Sequence, residues 1–284
     1  MPKISRLGLK RLLLHPNLAY RKIGNRKKAP LKVYWWRYQY PKKLNFGDEI
    51  TPYLIEYIWG RKCVWTDVPT CELAGAGSII GVLQTESKGN VIKVWGSGFI
   101  EEGDDNDCSN LDFYAVRGPL SRQRVKADRK IALGDPGLLS NLAFEPSRQK
   151  KYKVGIVAHY VDKESPFLDK IKNDPTYLLI DPLQTPAKVA KDITSCELVL
   201  SSSLHGLIVA DSFAVPNFWM PLSDNLTGGS YKFNDYYMST ERELVSVKPD
   251  ILGDNSAITT AIQSYVPVRR LRRLQRALIK SFPY

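Results

Sequence analysis

The chain is poor in the residues that build metal and redox centres: four cysteines and three histidines in 284 positions. Cys63, Cys71, Cys108 and Cys196 form no CxxC pair and no ligand spacing with a histidine. That pattern excludes a zinc ribbon, and a chain this long needs no disulfide framework. No apolar run approaches the roughly 18 residues of a membrane span. Leu12-Leu13-Leu14 is cut short by His15-Pro16, so a signal-peptide core is missing as well. These features predict a cytoplasmic location. Neither a full GxGxxG nor a Walker sequence is present. Acid is lacking at both ends: residues 1–32 carry ten Lys/Arg and residues 266–284 six, with no Asp or Glu in either stretch. Setting those sixteen aside leaves 25 basic residues against 29 acidic ones in the body, net −4. The formal charge of +12 therefore belongs to the tails. With no stacking motif beside them, a nucleic-acid partner is excluded.

What is present is an alternation of short apolar strands and helices. Lys32–Tyr38 reads as the first strand, and Thr51 with Pro52 reads as the N-cap and first turn of the helix after it. Glu72–Ser78 and Val91–Gly98 are strands ending in Gly/Ser turns, and Asp112–Val116 runs into Arg117-Gly118-Pro119, where a helix begins. One more short strand precedes Gly134-Asp135-Pro136-Gly137. A Pro-, Lys- and Arg-rich connector, Glu145–Lys153, divides this series from a second: Val154–Ala158, Tyr177–Ile180, Leu198–Leu200 and Val215–Trp219. Apolar strands with polar or glycine-rich carboxyl ends indicate an α/β protein with covered parallel sheets, whose ligands bind outside those ends.

The richest stretch is Leu198 to Asp211. It reads as a buried strand, the turn Ser201-Ser202-Ser203, and a helix opening at Leu204-His205-Gly206. Free N–H groups at such a terminus favour an anion, and an imidazole there can pass a proton near neutral pH. Arg117, at a strand-to-helix edge, is either an anion clamp or half of a structural ion pair. His159 follows an apolar strand and either faces the same edge or bonds its own loop. The glycine turns at Gly75–Ser78 and Gly96–Gly98 either contact a ligand by backbone or let helix and strand approach.

In order along residues 33–240, these pieces resemble the polysaccharide pyruvyl transferase family. They are Asn45-Phe46-Gly47-Asp48-Glu49, Ala74–Ser78, Trp95–Gly98, Val116–Ser121, Gly134-Asp135-Pro136, His159–Asp162 and Ser201–Asp211. The resemblance implies two Rossmann-like domains facing across a cleft, similar to the GT-B arrangement. The expected limits are a leader at 1–32, an acceptor-side domain at 33–145, a donor-side domain at 152–265 and a tail helix at 266–284. It also implies transfer of a pyruvyl group from phosphoenolpyruvate to two sugar hydroxyls of an exopolysaccharide or capsule repeat unit, giving a cyclic ketal. The acceptor would be a lipid-linked oligosaccharide or polysaccharide. No metal and no cofactor besides the donor is implied.

On this reading His205 is the catalytic acid/base. Arg117, Ser202, Ser203, Leu204 and His159 bind the donor, and Asn45 and Asp48 the acceptor. Some relatives carry arginine two positions before the histidine, where Ser203 stands. Arg122, Lys232, Arg242, or backbone N–H groups from Leu204 to Leu207 are the candidates to replace it. The alternatives are a glycosyltransferase of the same architecture using a nucleotide sugar, and a non-catalytic partner in polysaccharide assembly. Finally, Val268, Leu271, Leu274, Leu278 and Phe282 make one apolar helical face among arginines. Such a helix suits an anionic membrane surface, which predicts peripheral attachment at the inner membrane.

Overall fold

The computed structural model describes residues 24–37, 45–104, 107–126, 130–224 and 226–284. Most of the basic leader lies outside them. The chain forms β1 (Leu31–Tyr34), α1 (Phe46–Trp59), β2 (Cys63–Trp65), β3 (Leu73–Ala74), α2 (Ile80–Glu86), β4 (Ile92–Ser97), β5 (Leu111–Val116), α3 (Pro119–Val125) and β6 (Ala132–Leu133). After the connector come β7 (Tyr152–Val157), β8 (Tyr177–Leu179), α4 (Pro186–Thr194), β9 (Cys196–Ser201), α5 (Leu204–Ser212), β10 (Asn217–Trp219), α6 (Tyr231–Ser239), α7 (Asn255–Ser264) and α8 (Leu271–Ser281).

The strands form two parallel sheets, of six strands in the order β2-β1-β3-β4-β5-β6 and of four in the order β10-β9-β7-β8. Their near-continuous apolar composition follows from cover on both faces. In each sheet the direction of strand addition reverses once, between β1 and β3 and between β7 and β9. Loops leaving neighbouring strands at such a point diverge to opposite faces and open a crevice at the carboxyl edge. One buried cluster runs through both halves, from Leu31, Phe46 and Trp59 to Leu207, Ile208 and Leu278. Helix α1 packs on α4 and α5, and Phe46 N–H donates to the Pro182 carbonyl at 2.9 Å.

Two local expectations are corrected. Helix α1 starts before Thr51: Asn45 is its cap, accepting from Gly47 N–H at 2.9 Å, and Pro52 falls inside the helix. Thr51 instead packs on Gly75 and accepts from Ala76 N–H at 2.8 Å, fixing α1 against the turn after β3. Asn-Phe-Gly-Asp reads locally as a loop. Here the Asn cap and the acidic first turn (Asp48, Glu49) outweigh the proline.

The second correction concerns α8. The helix forms, but its apolar stripe faces the protein rather than lipid. Leu278, Ile279 and Phe282 are buried, Phe282 stacks on Trp59 at 4.2 Å, and Trp95 Nε1 donates to the Leu278 carbonyl at 3.0 Å. Gln275 Nε2 donates to the Leu138 carbonyl and to Asn141 Oδ1. Burial of each of the three apolar side chains contributes about 1.5–3 kcal/mol, which decides which surface the stripe prefers. Arg269, Arg270, Arg272, Arg273, Arg276 and Lys280 remain exposed. Among the described residues, no helix is long and apolar enough to cross a membrane.

Candidate active site

The loops after β1, β3, β7 and β9 converge on a cavity of about 690 Å³. Its wall includes Asn45, Asp48, Ser78, His159, Ser203, Leu204, His205 and Lys232, so both sheets contribute.

His205, in the first turn of α5, is held from two sides. Its ring meets Phe46 edge-on at 6.4 Å and presses on Gly47, where a Cβ would stand 2.5 Å from the imidazole Cγ. Position 47 is glycine because the ring occupies the space of a side chain. On its other edge, Nε2 faces Asp135 Oδ2 at 3.7 Å. Both atoms are buried and without a hydrogen bond among the described residues. Asp135, fully buried, is fixed through Oδ1, which accepts from Gly137 N–H at 2.7 Å. The arrangement is a carboxylate–imidazole pair held just outside hydrogen-bond distance.

The serine turn does mostly structural work. Ser201 Oγ lies 2.8 Å from the carbonyls of Val157 and Ser203 and accepts from Ser203 N–H at 3.0 Å. Ser202 Oγ donates to Asp162 Oδ2 at 2.6 Å and accepts from His159 N–H at 2.9 Å, tying the loop after β7 to that after β9. Ser202, expected at the donor, is thus committed elsewhere and stands off the cavity wall. Ser203 is on the wall and makes no side-chain capping bond.

Arg117 is likewise displaced from its expected place. It is fully buried, and its Nε pairs with Asp235 Oδ2 at 3.0 Å. Its Nη1 donates to Ser78 Oγ and its Nη2 to the Phe99 carbonyl, both at 2.6 Å. Asp235 also accepts from Ser121 Oγ at 2.6 Å. A Cβ at Gly118 would lie 2.6 Å from the Asp235 carbonyl carbon, so glycine permits the contact. The result clamps α6 to the β5–α3 junction. Lys232, one helical turn before Asp235, is thereby fixed at the cavity wall.

Electrostatics set the protonation states. Burial pushes the Asp48 carboxyl up to about 6, against the pull of His205 and Lys232. Burial, with Arg117 nearby, lowers the Lys232 ammonium to about 8. Burial, then Lys232, lower His159 to about 4, so near neutral pH it is an uncharged hydrogen-bonding group. Its Nδ1 accepts from Val161 N–H at 3.5 Å. Near neutral pH the wall therefore presents a carboxylate, an ammonium and a neutral imidazole beside His205. Among the described residues no cluster of His, Cys, Asp and Glu could hold a metal ion.

In the sequence Lys232 is one of three candidate replacement cations, and Asp135 stands in a glycine turn with no role of its own. The signals were the Lys232/Asp235 spacing and the acidic residue in Gly134-Asp135-Pro136-Gly137.

The family model for polysaccharide pyruvyl transferase matches residues 76–224, a span holding Arg117, Asp135, His159 and His205. The chain belongs to that family. A relative from Rhizobium meliloti (strain 1021), the succinoglycan biosynthesis protein ExoV, is 28% identical over 209 residues, covering 72% of this chain. The match spans 64% of that relative's own length. The L143 protein of Acanthamoeba polyphaga mimivirus is 31% identical over 205 residues, covering 69% of this chain and 70% of its own. A solved Klebsiella pneumoniae protein superposes with a TM-score of 0.41 at 12% identity, over 86% of this chain and 100% of its own. Asn45, Asp48 and Lys232 lie outside the residues matched to the pyruvyl transferase model.

Proposed function

We propose that this member of the pyruvyl transferase family transfers a pyruvyl group from phosphoenolpyruvate to two hydroxyls of one sugar in an exopolysaccharide or capsule repeat unit, forming a cyclic ketal. The observation that carries the reading is the meeting of His205 and Asp48 across one cavity that also holds an ammonium. That set matches the needs of the reaction: a proton donor, a base and a counter-charge for an anionic donor.

His205 protonates the methylene carbon of the enol phosphate, making a methyl group and an electrophilic C2. The first sugar hydroxyl forms a C–O bond to C2 as its proton passes to Asp48, which at about 6 is ionised near neutral pH. The C2–O bond to phosphate then breaks, and the leaving group takes that proton from Asp48. The second hydroxyl closes the ring at C2, and its proton restores His205. Both hydroxyl protons are accounted for, one in the new methyl group and one on phosphate. His159 hydrogen-bonds the donor as a neutral group, and Asn45 holds an acceptor hydroxyl.

Two switch-point sheets contributing to one cavity also favour a GT-B-like pair of Rossmann-like domains, over 33–145 and 152–265. We place the enzyme in the cytoplasm, at the inner membrane face where a lipid-linked acceptor is available. With the apolar stripe of α8 buried, attachment there rests on its exposed cations alone, each worth about 1 kcal/mol near anionic lipid before screening.

The test is full-length protein incubated with phosphoenolpyruvate and a lipid-linked oligosaccharide extract, with phosphate release and acceptor mass followed together. A pyruvate-sized mass increment matching phosphate release is expected. Turnover with nucleotide sugars and none with phosphoenolpyruvate would select the glycosyltransferase alternative instead.

A further inference from the structure

Lys232 is 8% exposed and lies on the cavity wall; among the described residues its ammonium makes no ion pair and no hydrogen bond, only a contact with the Phe233 ring at 5.6 Å and the pull of the Asp48 and Asp162 carboxylates from beyond ion-pair range. Holding a buried cation without an ion pair or hydrogen bond is costly unless a ligand supplies the anion. Beside it, α5 opens without a side-chain cap, leaving the Leu204 and His205 N–H groups unpartnered among the described residues. Such a terminus carries partial positive charge. The structure thus brings an unpaired ammonium and a helix N-terminus to one wall, where Ser203 offers no charge of its own.

The other candidate cations are committed elsewhere. Arg242 is bound to both oxygens of Asp211 and to the Val266 carbonyl. Arg122 is exposed and off the cavity wall. Arg117 is enclosed by Asp235, Ser78 and Phe99. Arg124, at the cavity rim, donates to the Glu101 and Asp104 carbonyls and lies over the Phe99 ring.

We infer that Lys232, together with the N-terminus of α5, seats the phosphate of the donor and replaces the side-chain cation that Ser203 does not provide. This rests on the donor reading above. The Arg117–Asp235 pair acts on the same seat at one remove, because it fixes the helix from which Lys232 projects. With a pKa of about 8, the ammonium is charged at neutral pH and loses its charge in mildly alkaline solution.

The experiment titrates full-length protein calorimetrically with inorganic phosphate, phosphoenolpyruvate and pyruvate, in wild type, Lys232→Met, Lys232→Arg and the double variant Lys232→Met/Ser203→Arg. Wild type is expected to bind phosphate and phosphoenolpyruvate, and Lys232→Met to bind both about 10- to 100-fold more weakly, the range of a charge-assisted hydrogen bond. Pyruvate, which lacks the phosphate, changes less. Lys232→Arg stays near wild type, and the double variant regains affinity. Lys232→Met should melt at or above the wild-type temperature, since it removes an unpaired buried charge. Equal phosphate affinity in wild type and Lys232→Met overturns the inference, as does wild type binding no phosphate. A melting temperature lowered in Lys232→Met and unrecovered in Lys232→Arg would assign the ammonium a structural role and overturn it too. Phosphate binding that depends on Lys232 without any pyruvyl transfer would sink the donor reading while leaving the anion seat standing.

Discussion

Replacing Gly47 with alanine tests how the His205 imidazole is held. The new methyl would stand 2.5 Å from Cγ and 2.7 Å from Cβ of His205, against an ordinary separation of about 3.5 Å or more. The ring must therefore shift by about 1 Å, or α1 must lift from α5. Overpacking of this kind costs about 1–3 kcal/mol. The gain from alanine in a helix offsets at most about 1 kcal/mol of that. Net destabilisation should be about 0–3 kcal/mol, a modest fall in melting temperature. Activity should respond far more strongly, because a misplacement of about 1 Å at a proton donor costs on the order of 10²-fold. Gly81→Ala is the propensity control, since a methyl there meets nothing within 4 Å and stability should hold or rise by up to about 1 kcal/mol. The assay compares thermal melts with steady-state phosphate release for wild type and Gly47→Ala. Wild-type turnover in a folded Gly47→Ala protein would refute the role given to this contact, and with it the placing of His205 at the reacting carbon.

Asp135→Asn keeps the Oδ1 acceptor for Gly137 N–H while removing the charge facing His205; kcat should fall at least about 10-fold with the donor KM little changed, and an unchanged kcat would strip Asp135 of its positioning role. Asp235→Ala strands the buried Arg117 guanidinium, so unfolding measurements should show a loss of about 3–5 kcal/mol; a loss below about 1 kcal/mol would mean the clamp on α6 is weak. The carboxyl of Asp48 is raised to about 6, above its ordinary value near 4, so the folded state binds this proton more tightly than the unfolded chain does. Stability from this group is present below about pH 4 and is lost as pH rises towards 6. Asp48→Asn should accordingly melt higher than wild type at pH 7, with the gain vanishing by about pH 4; a pH-independent gain would contradict the burial of that carboxyl.

Much of the frame was legible because strand ends and turn chemistry are local. The apolar runs before Gly75, Gly96, Arg117, His159 and Ser201 became strands, and the polar residues after them became the carboxyl edges around the cavity. The start of α1 was missed because Pro52 is a strong local signal, whereas the Asn45 cap and the Thr51–Ala76 hydrogen bond are partly tertiary. Arg117 illustrates a different limit. Its position at a strand-to-helix edge was readable, but its partner Asp235 lies 118 residues away, and nothing in the local sequence announces that pairing. The periodicity of α8 was equally plain. Only the folded chain shows that Trp59 and Trp95, rather than lipid, receive its apolar stripe.

Seating α8 against the first sheet has a consequence for synthesis. Trp59 and Trp95 leave the ribosome long before Phe282, so the amino-terminal half spends most of translation with an uncovered aromatic face. Its completion waits for residues 271–282. Cutting the gene at the connector would therefore yield a sticky first fragment, and deleting residues 271–282 would wound the half of the molecule that lies far from them in sequence.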